Sequence, residues 1–430
     1  MHAFHKIAAT LAALTAAAGC NAERLGSVAP AVPSGALNRH VGGAGSLDPS
    51  FGSGGTVVIP LDAGPVTALA TPDRRIVILG NTGSGGSAKV IRLLRDGKLD
   101  RSFGSGGSVS LQLYAAYHVA AAPDGKFIVG GIASDGFHAE LIRLTADGRL
   151  DSTFGSNGAI VFEYLSGQSN GVLVTLVQPD GKIVAGGFAE NPTTDVEQTS
   201  LARFDSSGNL DSSFGTGGIV SLKLVGAVTA MGFQSDGDIL VCGGRFDSSS
   251  SLMARFLPDG TLDGNDRGGS LTSVAHTGSL TFEGSNEFDA RGRLLQWSSA
   301  STSSKQYVRV DRLLRNQRRD RHFVDKAFAF DSPSANVPED VEIASDGTLL
   351  VAGEGSENGL SEIVFGIARL LAGGRLDPSF GDRGRVVTAF GEDARATALT
   401  IQSDGKIVAA GVTHATGSSS EVAVARYLAQ

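Results

Sequence analysis

LDPSFGSGG, Leu47 to Gly55, returns along the chain as LDRSFGSGG at Leu99, LDSTFGSNG at Leu150, LDSSFGTGG at Leu210 and LDPSFGDRG at Leu376. Two worn copies, LDGNDRGG at Leu262 and RDRHFVDK at Arg319, fill the gap between the last two. The seven units start 51 to 60 residues apart, and a period of that size marks a repeat architecture. The chain of 430 residues could hold two or three domains by length. A repeat spanning Leu47 to Gln430 argues instead for one closed domain.

Each unit reads as β-structure. In the unit that opens at Leu99, GSVSLQL (Gly107 to Leu113) alternates, HVAAAPDGKFIVGG (His118 to Gly131) sets two apolar runs about a turn, and AELIRLTADG (Ala139 to Gly148) ends on another turn. Short apolar runs bounded by Gly and Asp are antiparallel strands, four to a unit. The first turn recurs as Asp124-Gly125, Asp180-Gly181, Asp236-Gly237, Asp346-Gly347 and Asp404-Gly405, with worn forms at Asp73-Arg74 and Arg291-Gly292. A Gly follows in the second strand at Gly80, Gly130, Gly186, Gly243, Gly353 and Gly411, which predicts close backbone approach.

The expected fold is all-β: a seven-bladed β-propeller with four antiparallel strands per blade, since radial repetition protects sheet edges. Strand a runs to the Asp-Gly turn, b follows it, c holds the ARL-type run, and d follows the SFG phrase. The chain ends on a c strand and starts on an orphan d strand, so Thr56 to Leu61 is expected to pair with Val422 to Leu428 and close the ring. The opening phrase reads as a clasp between blades. Asp48 and its equivalents bond turn N–H groups, and Phe51, Phe103, Phe154, Phe214, Phe323 and Phe380 plug the gaps.

LDPSFG, PDGKIVAGG and LARFDSSGNLDSSFG are similar to the delta-60 repeat of exported bacterial proteins. The resemblance covers Leu47 to Gln430 and implies a propeller, with no catalytic residues to carry over. It is poorest from Leu262 to Lys326, which reads as drift in a tolerant blade, the alternative being a specialised site.

Lys6 and the apolar Ile7 to Ala18 read as a signal peptide over residues 1–19. Ala17-Ala18-Gly19-Cys20 resembles a lipobox, making Cys20 the expected lipidation site. The customary Leu three residues earlier is replaced by Ala17, so conventional cleavage stays open. Residues 20–46, rich in Ala, Pro, Ser and Gly, read as a flexible tether. The expected location is the bacterial cell envelope, as an outer-membrane lipoprotein or else periplasmic or secreted. The other cysteine, Cys242, lies in an apolar run and reads as a packed hydrophobe. A net charge of -8 and pI near 5.5 speak against nucleic-acid binding.

No HExxH, CxxC, GxSxG or P-loop motif is present. Channel candidates are His118, Glu287 and Glu342, which fall in predicted a strands and could form an acid–base set. The run from Asp205 to Asp211 offers closely spaced oxygens for Ca²⁺ but lacks EF-hand spacing, and turn capping is the competing reading. No other cofactor or metal is expected. Arg309, Arg312, Arg315, Arg318, Arg319, Arg321 and His322 form a basic run, either an anion patch or a solvated edge. The b-to-c and d-to-a connections vary and carry Asp135, Glu190, Asp195, Glu197, Asp247, Glu354, Glu357, Glu392, Asp393 and Glu421. Variable loops on a rigid scaffold commonly bind. The expectation is a monomeric, non-enzymatic binding or scaffold module whose acidic, Ser-rich face contacts a protein or glycan, with the membrane reached only through the lipid. The alternatives are a hydrolase or lyase working in the channel and a purely structural envelope protein.

Overall fold

The structure, a computed structural model, describes residues 42–60, 64–82, 86–194, 196–234, 236–244, 250–263, 272–275, 286–289, 291–301, 306–315, 318–324, 327–330, 336–356, 363–391, 393–414 and 420–430. The signal segment, Cys20 and the tether to Val41 lie outside the described residues. Among them no helix is long and apolar enough to cross a membrane.

Strand β1 (Thr56–Ile59) precedes the first blade, which is β2 (Gly64–Ala70), β3 (Ile76–Asn81), β4 (Ala88–Leu93) and β5 (Ser108–Leu111). The second is β6 (Leu113–Ala121), β7 (Phe127–Ala133), β8 (Ala139–Leu144) and β9 (Ala159–Phe162). The third is β10 (Ser169–Val177), β11 (Ile183–Asn191), β12 (Val196–Phe204) and β13 (Ile219–Val225). The fourth is β14 (Ala227–Phe233), β15 (Ile239–Gly244), β16 (Ser250–Phe256) and β17 (Thr272–Ala275). The fifth holds β18 (Asn286–Phe288), β19 (Leu294–Ser301) and β20 (Gln306–Leu313). The sixth is β21 (Val337–Ile343), β22 (Leu349–Ser356), β23 (Ile363–Leu370) and β24 (Arg385–Thr388). The seventh uses β25 (Ala394–Ile401), β26 (Ile407–His414) and β27 (Ser420–Tyr427), and takes β1 as its outer strand.

This is a seven-bladed β-propeller of antiparallel blades. In the fifth, the fourth position is held by Phe328, which exchanges two backbone hydrogen bonds with Val308 at 2.7 and 2.9 Å. The ring closes as the sequence predicts, with Thr56 opposite Ala425 and Ile59 opposite Val422. One boundary moves. The tether drawn to Ser46 ends sooner, because Gly45 N–H donates to Leu428 O, Leu428 N–H to Ser46 O, and Gly381 N–H to the buried Ala44.

The a-to-b turns place their glycine at positive φ, +82° at Gly125, and Gly125 N–H donates to Ala122 O. In the first blade, Arg74 adopts φ of +66° in its stead, a conformation that costs a residue with a Cβ.

The repeated phrase is a clasp with more parts than its own letters. Each c strand presents an arginine to the clasp aspartate eight residues on: Arg92 to Asp100, Arg143 to Asp151, Arg203 to Asp211, Arg255 to Asp263, Arg312 to Asp320 and Arg369 to Asp377. Arg426 completes the set by reaching Asp48 at 2.9 Å. The guanidinium lies over the clasp phenylalanine, 4.5 Å from the Phe51 ring centre for Arg426 and 4.7 Å from Phe214 for Arg203. It also donates to a backbone carbonyl of the following blade, as Arg312 does to Ala372 at 2.6 Å and Arg369 to Ala429 at 2.6 Å. Five of the phenylalanines have no exposed surface at all, so the six clasps that carry one combine a buried aromatic with a charge-assisted bond and a cation–π contact. Burial raises the Asp48 carboxyl. Hydrogen bonds from Lys406 and Ser50 and the charge of Arg426 outweigh that and hold it well below the usual carboxylate range.

The core lies in the wedges between blades, not within single sheets. One cluster joins Val77, Leu79 and Phe103 of the first unit to Val119, Phe127 and Ile142 of the second.

Candidate functional site

The inner strands decide what faces the channel, and they share an irregularity. Register shifts occur between Pro65 and Thr67, Ala116 and His118, Val172 and Val174, Val228 and Ala230, Pro338 and Asp340, and Ala396 and Ala398. A bulge at one level in six blades re-aims every residue after it. It also explains the glycines of the b strands. A Cβ on Gly187 would lie 1.9 Å from Gly171 O, on Gly243 1.9 Å from Ala227 O, and on Gly411 1.9 Å from Arg395 O.

The first residue past the bulge reaches the next blade. His118 Nδ1 lies 2.9 Å from Thr175 Oγ1 and accepts from Thr175 N–H at 3.4 Å. Two donors at Nδ1 assign the ring proton to Nε2. Burial pushes the imidazole down to about 4, so it is neutral at pH 7. In the sixth blade the same position is Asp340, whose Oδ2 accepts from Leu399 N–H at 2.6 Å.

Glu287 and Glu342 occupy one register level of neighbouring blades: Glu287 sits opposite Leu295 and Glu342 opposite Leu350, each one residue before the last pair of its inner hairpin. The structure therefore brings the two predicted glutamates together, with Asp340 as a third carboxyl that sequence reasoning missed. Burial, then the charges of Glu342, Asp340 and Asp289, push Glu287 well above its ordinary value. Glu342 is pushed up to about 8 by burial and by Asp340. Asp340 rises to about 7 through burial, against the opposing hydrogen bonds from Leu399 and Val341. Glu287 Oε2 is buried and, among the described residues, accepts no hydrogen bond. All three side chains are half-buried, and the rises favour their protonated forms, which donate as well as accept. His118 is separate. Among the described residues no hydrogen bond or ion pair links it to either glutamate, so the acid–base set expected of these three is not assembled.

The acidic face is also reshaped. Glu190 and Glu197 are cross-strand partners within β11 and β12 and are buried. Glu354 is buried in β22 against Arg395 at 2.9 Å. These three belong to strand ends instead of displayed loops. Asp135 is exposed and folds its own loop, accepting from Phe137 and His138 N–H and meeting His138 Nδ1 at 2.5 Å. Asp393 accepts from Ile363 N–H at 2.8 Å, and Glu421 lies half-buried in β27. Asp195, Asp247, Glu357 and Glu392 lie outside the described residues.

The basic run disperses. Arg312 belongs to its clasp, Arg309 and Arg319 both pair with Asp311, and Arg315 donates to Gln234. Asp205 caps its own turn, its Oδ1 accepting from Ser207 and Asn209 N–H at 2.8 and 2.9 Å. Among the described residues no three His, Cys, Asp or Glu side chains are grouped to hold a metal ion. Cys242 is buried, its thiol pushed up to about 12 by burial.

The family described as a domain of unknown function (DUF5122) beta-propeller matches residues 71–103, 122–154, 178–214, 234–265, 344–380 and 402–430. No curated protein matches the chain. Among solved structures, the chain is similar to the polysaccharide lyase Uly1 at 11% identity and a TM-score of 0.49, covering 85% of this chain and 89% of that one. A gluconolactonase from Xanthomonas campestris aligns at 13% identity and TM-score 0.38, with 77% and 96% covered. A protein of unknown function from Dyadobacter fermentans aligns at 13% identity and TM-score 0.41, with 89% and 100% covered.

Proposed function

On the strength of six segments matching a β-propeller repeat family, we propose that this chain is an exported delta-60-type propeller serving as a non-enzymatic binding or scaffold module. Cys20 carries its lipid anchor, and the partner is a protein or glycan met on the face of the b-to-c and d-to-a connections. The observation that carries the reading is the uniform clasp. It joins the blades by buried ion pairs and aromatic plugs, giving a rigid ring on which variable loops stand. The exposed acids left to recognise a partner include Asp135 and Asp393.

Pull-down from envelope extracts with the full chain should recover one partner, and Asp135→Asn with Asp393→Asn should weaken its recovery. Equal recovery by both forms would remove the acidic face from the reading, and equal uptake of a fatty-acid probe by wild type and Cys20→Ala would remove the anchor. A hydrolase or lyase reading has one observation in its favour, the grouping of the Glu287, Asp340 and Glu342 carboxyls on neighbouring inner strands, where each is raised above its ordinary value. Turnover of a glycan or ester that is lost in Glu287→Gln would favour it over the binding module.

A further inference from the structure

Most clasp aspartates meet a second cation, supplied by the residue just past the a-to-b turn. Arg75 lies 3.4 Å from Asp100, Lys126 3.1 Å from Asp151, Lys182 3.0 Å from Asp211, Arg293 3.9 Å from Asp320 and Lys406 2.8 Å from Asp48. The fourth blade inverts this charge. Asp238 stands at the position, buried, and leaves Arg255 between two carboxylates, its Nε 3.6 Å from Asp238 while Nη2 meets Asp263. Asp236 lies on the same turn, and Arg315 approaches from the fifth blade, 3.9 Å from Asp236. In the sequence, Asp266 stands where the other copies have phenylalanine.

The opposite flank of the fifth blade carries Glu287, Asp340 and Glu342. The strands β14, β15 and β19 packed on β18 contribute no charged side chain. β21 supplies Glu339, Asp340 and Glu342. The cations of the surrounding elements are engaged: Arg293 on Asp289, Arg309 on Asp311, Arg312 on Asp320, and Arg395 on Glu354.

We propose that the fifth blade is a pH-released segment of the ring: ionisation of carboxyls on both its flanks loosens it as pH rises, while the closure between β1 and β27 stays shut. Among the described residues, the charge inversion at one junction, the carboxyl group at the other, a clasp phrase without its phenylalanine and a fourth strand position held by the single bridge of Phe328 concentrate the weakness there. Burial, with Asp236 next, raises Asp238, and Asp340 and Glu342 are raised to about 7 and about 8. For a raised carboxyl, the stabilising contribution is complete below the unfolded value and is lost as pH climbs through the folded one. The closure behaves oppositely, since Asp48 is lowered and stays paired with Arg426 and Lys406 above the ordinary carboxylate range.

The test is hydrogen exchange of the full chain at about pH 5.5 and about pH 8.5, corrected for the chemical rate, because these values bracket Asp340 and Glu342. Protection of β18 to β20 should fall relative to β2 to β4, which carry no carboxyl, by about tenfold or more at the higher pH, one pK unit being one decade. Asp340→Asn with Glu342→Gln should abolish that fall. The single Glu342→Gln, which keeps the shape, should lessen it if the double variant does not fold. Equal relative protection at the two pH values, an undiminished fall in the variants, or earlier loss at β27 would overturn the proposal.

Discussion

The arginine of the c strand is the residue on which each junction turns. It binds its own blade through an aspartate, the aromatic plug through its face, and the next blade through a carbonyl. Arg143→Met should therefore cost about 3 kcal/mol, near the lower end for breaking a buried ion pair because Lys126 still faces Asp151. Urea denaturation measures it. A loss under about 1 kcal/mol, the range of exposed pairs, would place the junction strength elsewhere. The aspartate and phenylalanine of this unit were legible because they stand inside the repeated phrase. The arginine was not, although it recurs eight residues before each internal aspartate. Its signal is a spacing between two strands, and Arg312 was hidden further among neighbouring arginines that serve other partners.

At the level of the strand, the bulge of the inner hairpin is the organising feature. The glycine opposite it has no room for a side chain, and Gly187→Ala should cost about 1–3 kcal/mol through overpacking. Gly373→Ala, where a Cβ meets nothing within 4 Å, should stay within about 0.5 kcal/mol of wild type. Equal thermal stability of the two variants would contradict this reading. The glycines announced close approach in the sequence, and strand order and the closing pair followed from turns and the orphan ends. The bulge did not. It breaks the two-residue alternation at a place marked by no fixed residue, so the face taken by the residues around it was not legible. Asp340 entered the carboxyl group unseen, and Glu190 and Glu197, which read as loop acids, proved to continue the regularly paired strands β11 and β12.

For the whole ring, two populations of carboxyls oppose each other. The clasp aspartates, Asp48, Asp100, Asp151, Asp211, Asp320 and Asp377, are lowered, so their contribution is present above the unfolded value of 3.8 and lost as pH falls from there through the lower folded values. The inner carboxyls Asp340 and Glu342 are raised to about 7 and about 8, so theirs is lost as pH rises from the unfolded values toward those. The melting temperature should peak at roughly pH 4 to 5 and decline toward pH 8, and Glu287→Gln with Glu342→Gln should flatten the decline. A melting temperature that rises from pH 5 to pH 8 in the wild type would refute the balance. How the blades are arranged could be read from periodicity alone, because a repeat states the same instruction many times. What the blades hold in the channel depends on single residues, each stated once.

The seventh blade has a consequence in time. Asp48 emerges early during synthesis, yet its guanidinium partner is Arg426, and β1 has no edge to join until β27 exists. Six blades can assemble in order behind the ribosome, each sealed by an arginine of its own unit. The seventh cannot, and a chain released before Arg426 would leave Phe51 without its cation and two blades with bare edges. Completion of the ring thus reports that the chain has been made through β27 and Arg426.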